Sequence, residues 1–213
     1  KISLFILDDA FQHQKIHRDL NLLLVKALDP FGQGYCLPRG YLRESLKAFN
    51  RASVIILTRA DEVNGEDKDK IKKEINSLVG INTPIFEATH EPEAFISPTG
   101  EVISFDQFFN LSYQKMGALC GIAQPNGFFN TLKKINIIPN KKFIYPDHYQ
   151  YLYSDFDLIA KERESFDCLI STEKDIVKIP MNMRKQFNIY TLTMHMKIKE
   201  SDQIVSLIKE ITK

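Results

Sequence analysis

The stretch Ile2-Ser-Leu-Phe-Ile-Leu7-Asp8-Asp9-Ala10-Phe11-Gln12-His13 decides the reading of the fold. A short, almost continuous apolar run ending in two acids is the pattern of a central parallel strand buried on both faces. Such a strand delivers its carboxylates to the carboxyl edge of a sheet, where α/β proteins bind ligands. Two further runs of this kind, Leu20-Asn-Leu-Leu-Leu-Val25 and Ser53-Val-Ile-Ile-Leu57, follow at spacings that leave room for loops and helices. That rhythm predicts an α/β fold on a parallel sheet.

Outward from these runs, Phe31 to Leu42 carries Gly32, Gly34 and Gly40 and reads as a loop. Glu66 to Leu78 has apolar residues at Ile71, Ile75 and Leu78, the stripe of a helix with a solvated charged face. From Pro84 the texture shifts to short pieces broken by Pro92, Pro98 and Gly100, which predicts a linker or β-ribbon over residues 84–110. A second α/β series follows. It runs strand Met116–Cys120, helix Asn126–Lys134, strand Lys142–Tyr145, helix Ser154–Glu164, strand Cys168–Thr172, strand Asn188–Thr193 and helix Ser201–Ile211. Ser154 and Ser201 are placed as helix N-caps. The expected organisation is the end of one parallel-sheet domain over 1–83 and a smaller α/β domain over 111–213.

Composition narrows the class. The 213 residues are 44% hydrophobic and 26% charged, ordinary globular usage and not that of a disordered or fibrous chain. A net charge of +1 argues against a dedicated nucleic-acid binder. The total hides an asymmetry: 13 Lys/Arg face 16 Asp/Glu up to Asn110 (net −3), and 15 face 11 afterwards (net +4). The second half is the one expected to meet an anionic partner. Cys36, Cys120 and Cys168 lie far apart and read as reduced, buried thiols rather than a disulfide framework or a zinc site. No stretch approaches the roughly 18–20 apolar residues needed to span a bilayer, so the chain itself is expected to be soluble.

Four constellations can carry chemistry, each with a plainer reading beside it. Asp8 and Asp9 at a strand end suit Mg²⁺, which is held by one or two acids plus substrate phosphates; equally, they are solvated acids closing a strand. Phe31-Gly-Gln-Gly34, continuing through Leu37-Pro-Arg-Gly-Tyr-Leu-Arg43-Glu44, brings backbone, a guanidinium and a carboxylate to a ligand, or is a tight surface turn. In Tyr145-Pro-Asp147-His148-Tyr149 an acid beside an imidazole fits general acid-base work; adjacent side chains on extended backbone would instead point apart. Ser171-Thr-Glu-Lys-Asp175 with Lys178 reads best as a loop held by local salt bridges. None of the nine glycines is followed by Lys, so the chain holds no Gly-x-x-x-x-Gly-Lys-Ser/Thr loop.

Together these segments resemble the tetraacyldisaccharide 4'-kinase family. The family pattern Asp-Asp-Gly-Phe-Gln-His followed by Arg-Asp matches Asp8, Asp9, Phe11, Gln12, His13, Arg18 and Asp19, with Ala10 in place of the glycine. Phe31–Gly34 and Leu37–Ser45 match its Phe-Gly-Asn-Gly and Leu-Pro-Ala-Gly-Pro-Leu-Arg-Glu-Pro segments, keeping Arg43 and Glu44 but departing at Gln33, Arg39, Tyr41 and Ser45. Gly121-Ile-Ala-Gln-Pro125 with Phe128-Phe129, Asp147-His148 (with Tyr149 in place of a second His) and Thr172–Asp175 with Lys178 complete the resemblance, which spans residues 4–178 in the family's order.

The resemblance implies a kinase that moves the γ-phosphate of ATP, with Mg²⁺, to the 4'-hydroxyl of a lipid-linked disaccharide 1-phosphate in lipid A biosynthesis. It implies peripheral contact with the cytoplasmic face of the bacterial inner membrane and no nucleic-acid partner. Residues 1–83 would be the C-terminal part of a P-loop kinase domain, its phosphate loop upstream of Lys1, and 111–213 a smaller Rossmann-like lid. Asp8 and Asp9 would hold the metal, Arg43 would neutralise phosphate charge, and Glu44 would position metal or sugar. His148 would assist deprotonation of the hydroxyl, with Asp147 orienting it. The alternative expectation, for a chain inactive alone, is a non-catalytic nucleotide or phospho-ligand binding module.

Overall fold

A computed structural model describes residues 4–79 and 83–211. They form two compact units. The first takes residues 1–90 and 196–213, the second residues 91–195.

In the first unit, β1 (Leu22–Lys26) and β2 (Val54–Thr58) pair in parallel, Leu22 opposite Val54 through Lys26 opposite Thr58. After α1 (Gly65–Val79), the start of β3 (Ile85–Ile96) adds in parallel beyond β2, Ile55 opposite Ile85. The run Val54-Ile-Ile-Leu57 is apolar throughout because both faces of β2 are covered. Ile55 and Leu57 join Val25, Phe49 and Ile75 of α1 on one face; Val54 and Ile56 join Phe86, Ala88 and Ile204 on the other. Val54, Ile55 and Leu57 are wholly removed from water, which stabilises by roughly 1.5–3 kcal/mol each. Asn64 caps α1, its carbonyl oxygen accepting the Asp67 N–H at 2.9 Å.

In the second unit, the far half of β3 pairs antiparallel with β4 (Val102–Ile103), and α2 (Phe105–Asn110) follows behind a Ser104–Gln107 capping box. Then come β5 (Met116–Cys120), α3 (Pro125–Lys134), β6 (Lys141–Ile144), α4 (Tyr153–Ala160), β7 (Cys168–Thr172), the short α5 (Glu173–Ile176) and α6 (Met181–Gln186), and β8 (Ile189–Ile198). The strand order is β3-β8-β7-β5-β6, with β5, β6, β7 and β8 all parallel to their neighbours in that set. One face buries Ala118, Cys120, Cys168 and Ile170 against Phe128, Phe129 and Leu132 of α3. The other buries Leu119 and Leu169 against Phe156 and Ile159 of α4. The chain returns along β8 to the first unit, where α7 (Ser201–Ile211) sets Ile204 on β2.

Several expectations are corrected. Of the strand expected over 2–7, residues 2 and 3 lie outside the described residues, and Leu4 to Leu7 form no strand; Phe5 and Ile6 are 78% and 87% exposed. A strand buried on both faces needs ladder partners and cover, and among the described residues β1 is paired with β2 alone, with Leu22 and Leu24 exposed. The stretch expected as a linker holds the 12-residue β3, which carries Pro92 within its length. The final helix belongs with the first unit because its apolar side fills the open face of β2. Helix α4 stops at Ala160, and its entry is capped by Asp155, which accepts the Leu152 N–H at 2.8 Å, rather than by Ser154. Cys36 is exposed; Cys120 and Cys168 are buried, and all three are free thiols.

Candidate active site

In the first unit the chemistry gathers on a turn and a loop. Asp9 sits in left-handed backbone (φ 48°). The next residues are folded back by a His13 N–H bond to the Ala10 carbonyl at 3.0 Å and by the Arg18 guanidinium, which donates to the carbonyls of Ala10 and His13. Arg43 Nη1 donates to both Asp9 oxygens, at 2.9 and 2.8 Å. That hydrogen bond, with the Asp9 charge, raises the Arg43 pKa above its ordinary value. Both side chains are exposed, so water screens the pair. Asp8 makes no ion pair or hydrogen bond among the described residues.

Arg43 and Glu44 are placed by the glycine loop. Gly32, Gln33 and Gly34 take φ of 51°, 63° and 76°, and Tyr41 and Leu42 donate to the carbonyls of Gly32 and Tyr35, each at 3.2 Å. At Gly40 a Cβ would lie 2.3 Å from the Tyr35 oxygen and 2.7 Å from that of Gly32, so backbone crosses backbone there and no side chain fits. Glu44 is not presented to solvent as a lone carboxylate. Its Oε2 is bonded by Arg51, whose guanidinium also donates to the Phe11 carbonyl at 3.4 Å and stacks 4.8 Å above the Phe11 ring.

In the second unit Asp147 and His148 follow β6. His148 is left-handed (φ 59°), which turns the chain so that neighbouring side chains come to one side. Asp147 Oδ1 accepts the His148 N–H at 3.0 Å, and its Oδ2 lies 3.7 Å from the imidazole Nε2. The imidazole is 87% exposed. Beneath it, Tyr145, Tyr149 and Tyr151 pack ring on ring with centroids 4.6–5.5 Å apart. Burial, with the charge of Asp155 and the Tyr149 ring, pushes the Tyr145 phenol up to about 12.

Asp175 is fully buried at the carboxyl ends of β5 and β7. Its Oδ2 accepts the Gly121 N–H at 3.1 Å and the Thr172 hydroxyl at 2.7 Å, and Lys178 Nζ stands 3.8 Å from Oδ1. Among the described residues, Ser171 Oγ is buried with no hydrogen-bond partner, and Asp175 Oδ1 faces the Lys178 ammonium. Gly121 is needed at this junction: a Cβ would come within 3.1–3.2 Å of the Pro146 oxygen, Tyr149 and Tyr151.

The structure thus joins Asp9 to Arg43 and Asp147 to His148, while Glu44 is joined to Arg51. The sequence reading of Asp175 with Lys178 as a local salt bridge holding a loop agrees with their 3.8 Å ion pair, whereas Arg51 and Asp155 were missed as organisers of these groups. Asp155 had a readable signal, an acid at the third position of a helix's first turn; Arg51, distant in sequence from Phe11, had none. No cluster of three or more His, Cys, Asp or Glu with metal-holding geometry occurs among the described residues. The Asp8–Asp9 pair instead offers hard carboxylate oxygens in the number Mg²⁺ uses when phosphates supply the remaining ligands, and in that respect the residues fit the ion.

The parallel-sheet α/β architecture places the chain in a class of α/β proteins, and its structural match is to a kinase of the P-loop fold. A crystal structure of LpxK from Aquifex aeolicus in complex with ATP aligns with a TM-score of 0.71 at 30% identity, covering 98% of this chain and 57% of that one. The family described as LpxK, tetraacyldisaccharide-1-P 4'-kinase, matches residues 1–213, and the chain belongs to it. Tetraacyldisaccharide 4'-kinases of Elusimicrobium minutum and Desulfatibacillum aliphaticivorans are 35% and 32% identical over 93% and 97% of the chain. The chain spans 52% and 55% of those two relatives' lengths.

Proposed function

We propose that the chain takes part in transferring the γ-phosphate of ATP to the 4'-hydroxyl of a tetraacyldisaccharide 1-phosphate, the step of lipid A biosynthesis for which its family is named. The observation that carries this reading is the match to that family along the whole chain. The Asp147–His148 turn and the Asp9–Arg43 pair support it. Asp8 and Asp9 would hold Mg²⁺, which when bound offsets the charge of the phosphates. Arg43, already poised against Asp9, would trade that carboxylate for phosphate oxygens, to which a guanidinium binds well. Phosphoryl transfer needs positioning and charge compensation more than covalent chemistry.

The second unit supplies the group that handles the acceptor proton. The exposed His148 imidazole would take the proton of the 4'-hydroxyl, and Asp147 at 3.7 Å would orient the ring and stabilise the cation formed. Glu44, held by Arg51, would act by fixing the Arg43 turn or by releasing Arg51 to reach metal or sugar. A lipid-borne acceptor calls for peripheral contact with the cytoplasmic face of the inner membrane; no helix among the described residues is long and apolar enough to cross one.

The test is His148→Ala in the intact protein, assayed with ATP and the tetraacyldisaccharide 1-phosphate. Turnover should fall by about two orders of magnitude or more while ATP still binds, the usual scale for a proton-transfer group. Unchanged turnover would remove His148 from the reaction. Asp9→Ala should weaken Mg²⁺-dependent nucleotide binding, and a wild-type Mg²⁺ titration in that variant would sink the metal assignment.

A further inference from the structure

We propose that the bond from the Tyr149 hydroxyl to buried Asp155 is the positioning contact that aims the His148 imidazole. The proposal rests on the reading of His148 given above. His148 has no packing of its own: its ring is 87% exposed and its one side-chain neighbour in bonding range among the described residues is Asp147. What directs the ring is therefore the backbone on either side, and at φ 59° that backbone is in a region a non-glycine residue keeps only where its surroundings hold it.

The hold comes mostly from the Tyr149 side. The Tyr149 N–H closes a turn onto the Pro146 carbonyl at 3.2 Å. Its ring packs against both Tyr145 and Tyr151, 4.6 and 5.5 Å away, and its hydroxyl donates to Asp155 Oδ1 at 3.1 Å. Asp155 is 8% exposed and uses its other oxygen on the Leu152 N–H at 2.8 Å, so one carboxylate pins the segment at residue 149 and again at residue 152. The first turn of α4, where the helix dipole favours an anion, suits Asp155 for this task. Accepting the bond, Asp155 raises the Tyr149 pKa, which keeps the donor protonated.

Steady-state kinetics of the intact protein with ATP and the tetraacyldisaccharide 1-phosphate test this. Tyr149→Phe keeps the ring and removes only the hydroxyl, so kcat should fall about fivefold or more with KM for ATP within about twofold, because misaiming a reacting group costs rate and not nucleotide binding. Asp155→Ala removes the same acceptor together with the Leu152 bond, so its kcat loss should be at least as large, and adding Tyr149→Phe to it should cost nothing further. A kcat loss below about fivefold in Tyr149→Phe, an equal rise in KM for ATP, or losses that multiply in the double variant would each overturn the proposal. If Asp155→Ala does not fold, Tyr149→Phe decides alone. His148→Ala is run alongside: full turnover there overturns the reading of His148 and this proposal with it. A large loss there with full turnover in Tyr149→Phe overturns the positioning contact alone.

Discussion

Replacing Asp175 by alanine removes the acceptor on which two strand ends of the second unit converge. The Gly121 N–H (3.1 Å) is then left buried without a partner, and Lys178, 3.8 Å away with its side chain 17% exposed, loses its counter-charge. The Thr172 hydroxyl at 2.7 Å is half-buried and can turn elsewhere. A stranded buried donor costs about 1–3 kcal/mol, and removing one member of a buried pair costs about 3–5. Relief of the fully buried Asp175 carboxylate from desolvation works the other way. The net expectation is a loss of about 3 kcal/mol, or about 6–12 °C in Tm for a chain of this length. Asp175→Asn also removes the charge facing Lys178 but keeps an acceptor oxygen for the Gly121 N–H, so it should lose less than alanine by about the 1–3 kcal/mol of the stranded donor. With no Trp and eight Tyr in the chain, urea unfolding is followed by tyrosine fluorescence. An alanine variant within about 1 kcal/mol of wild type, or an asparagine variant as damaged as alanine, would refute the assignment of Asp175 as an acceptor for Gly121.

Gly40→Ala forces a Cβ onto two backbone oxygens and should cost about 1–3 kcal/mol, with Arg43-dependent activity falling alongside; an unchanged melt would contradict the described loop. Cys36 should react with a thiol reagent in the folded protein, whereas Cys120 and Cys168, pushed by burial up to about 11 and about 12, should react only on unfolding; counting reactive thiols with and without urea checks this. Burial alone would raise the Glu87 pKa, but bonds from Lys72 and Lys68 override it and hold the carboxyl below its ordinary range. A depressed folded pKa contributes stability that is complete above the unfolded value of about 4.3 and is lost as pH falls through the folded one. Acid titration of stability should therefore show a loss below that value which Glu87→Gln lacks.

What the sequence made legible was local. Continuous apolar runs at Val54–Leu57, Met116–Cys120 and Cys168–Thr172 became strands covered on both faces, their shortness favouring a strand over a buried helix. The equally apolar Leu4–Leu7 did not, since the same pattern says nothing of whether partners lie on both sides. Strand β3 hid behind Glu87, His90, Glu91 and Pro92, whose polar side chains break the apolar count while the backbone still pairs. Asp9, Arg43, Asp147 and His148 were visible as residue types in a known order. Their pairing rests on left-handed backbone at Asp9 and His148, and on contacts such as Tyr149–Asp155 and Arg51–Glu44, which no spacing announces.

The chain leaves the first unit along β3 and comes back along β8, so the second unit is an uninterrupted segment set inside a discontinuous one. During synthesis residues 91–195 emerge whole and can close their own two cores. The first unit must wait for the segment that follows the inserted one, because Val54 and Ile56 lack the cover of Ile204 until α7 arrives. The order of assembly is thereby written into the threading: the inserted unit can close on its own, and α7 must emerge before the discontinuous unit can be finished.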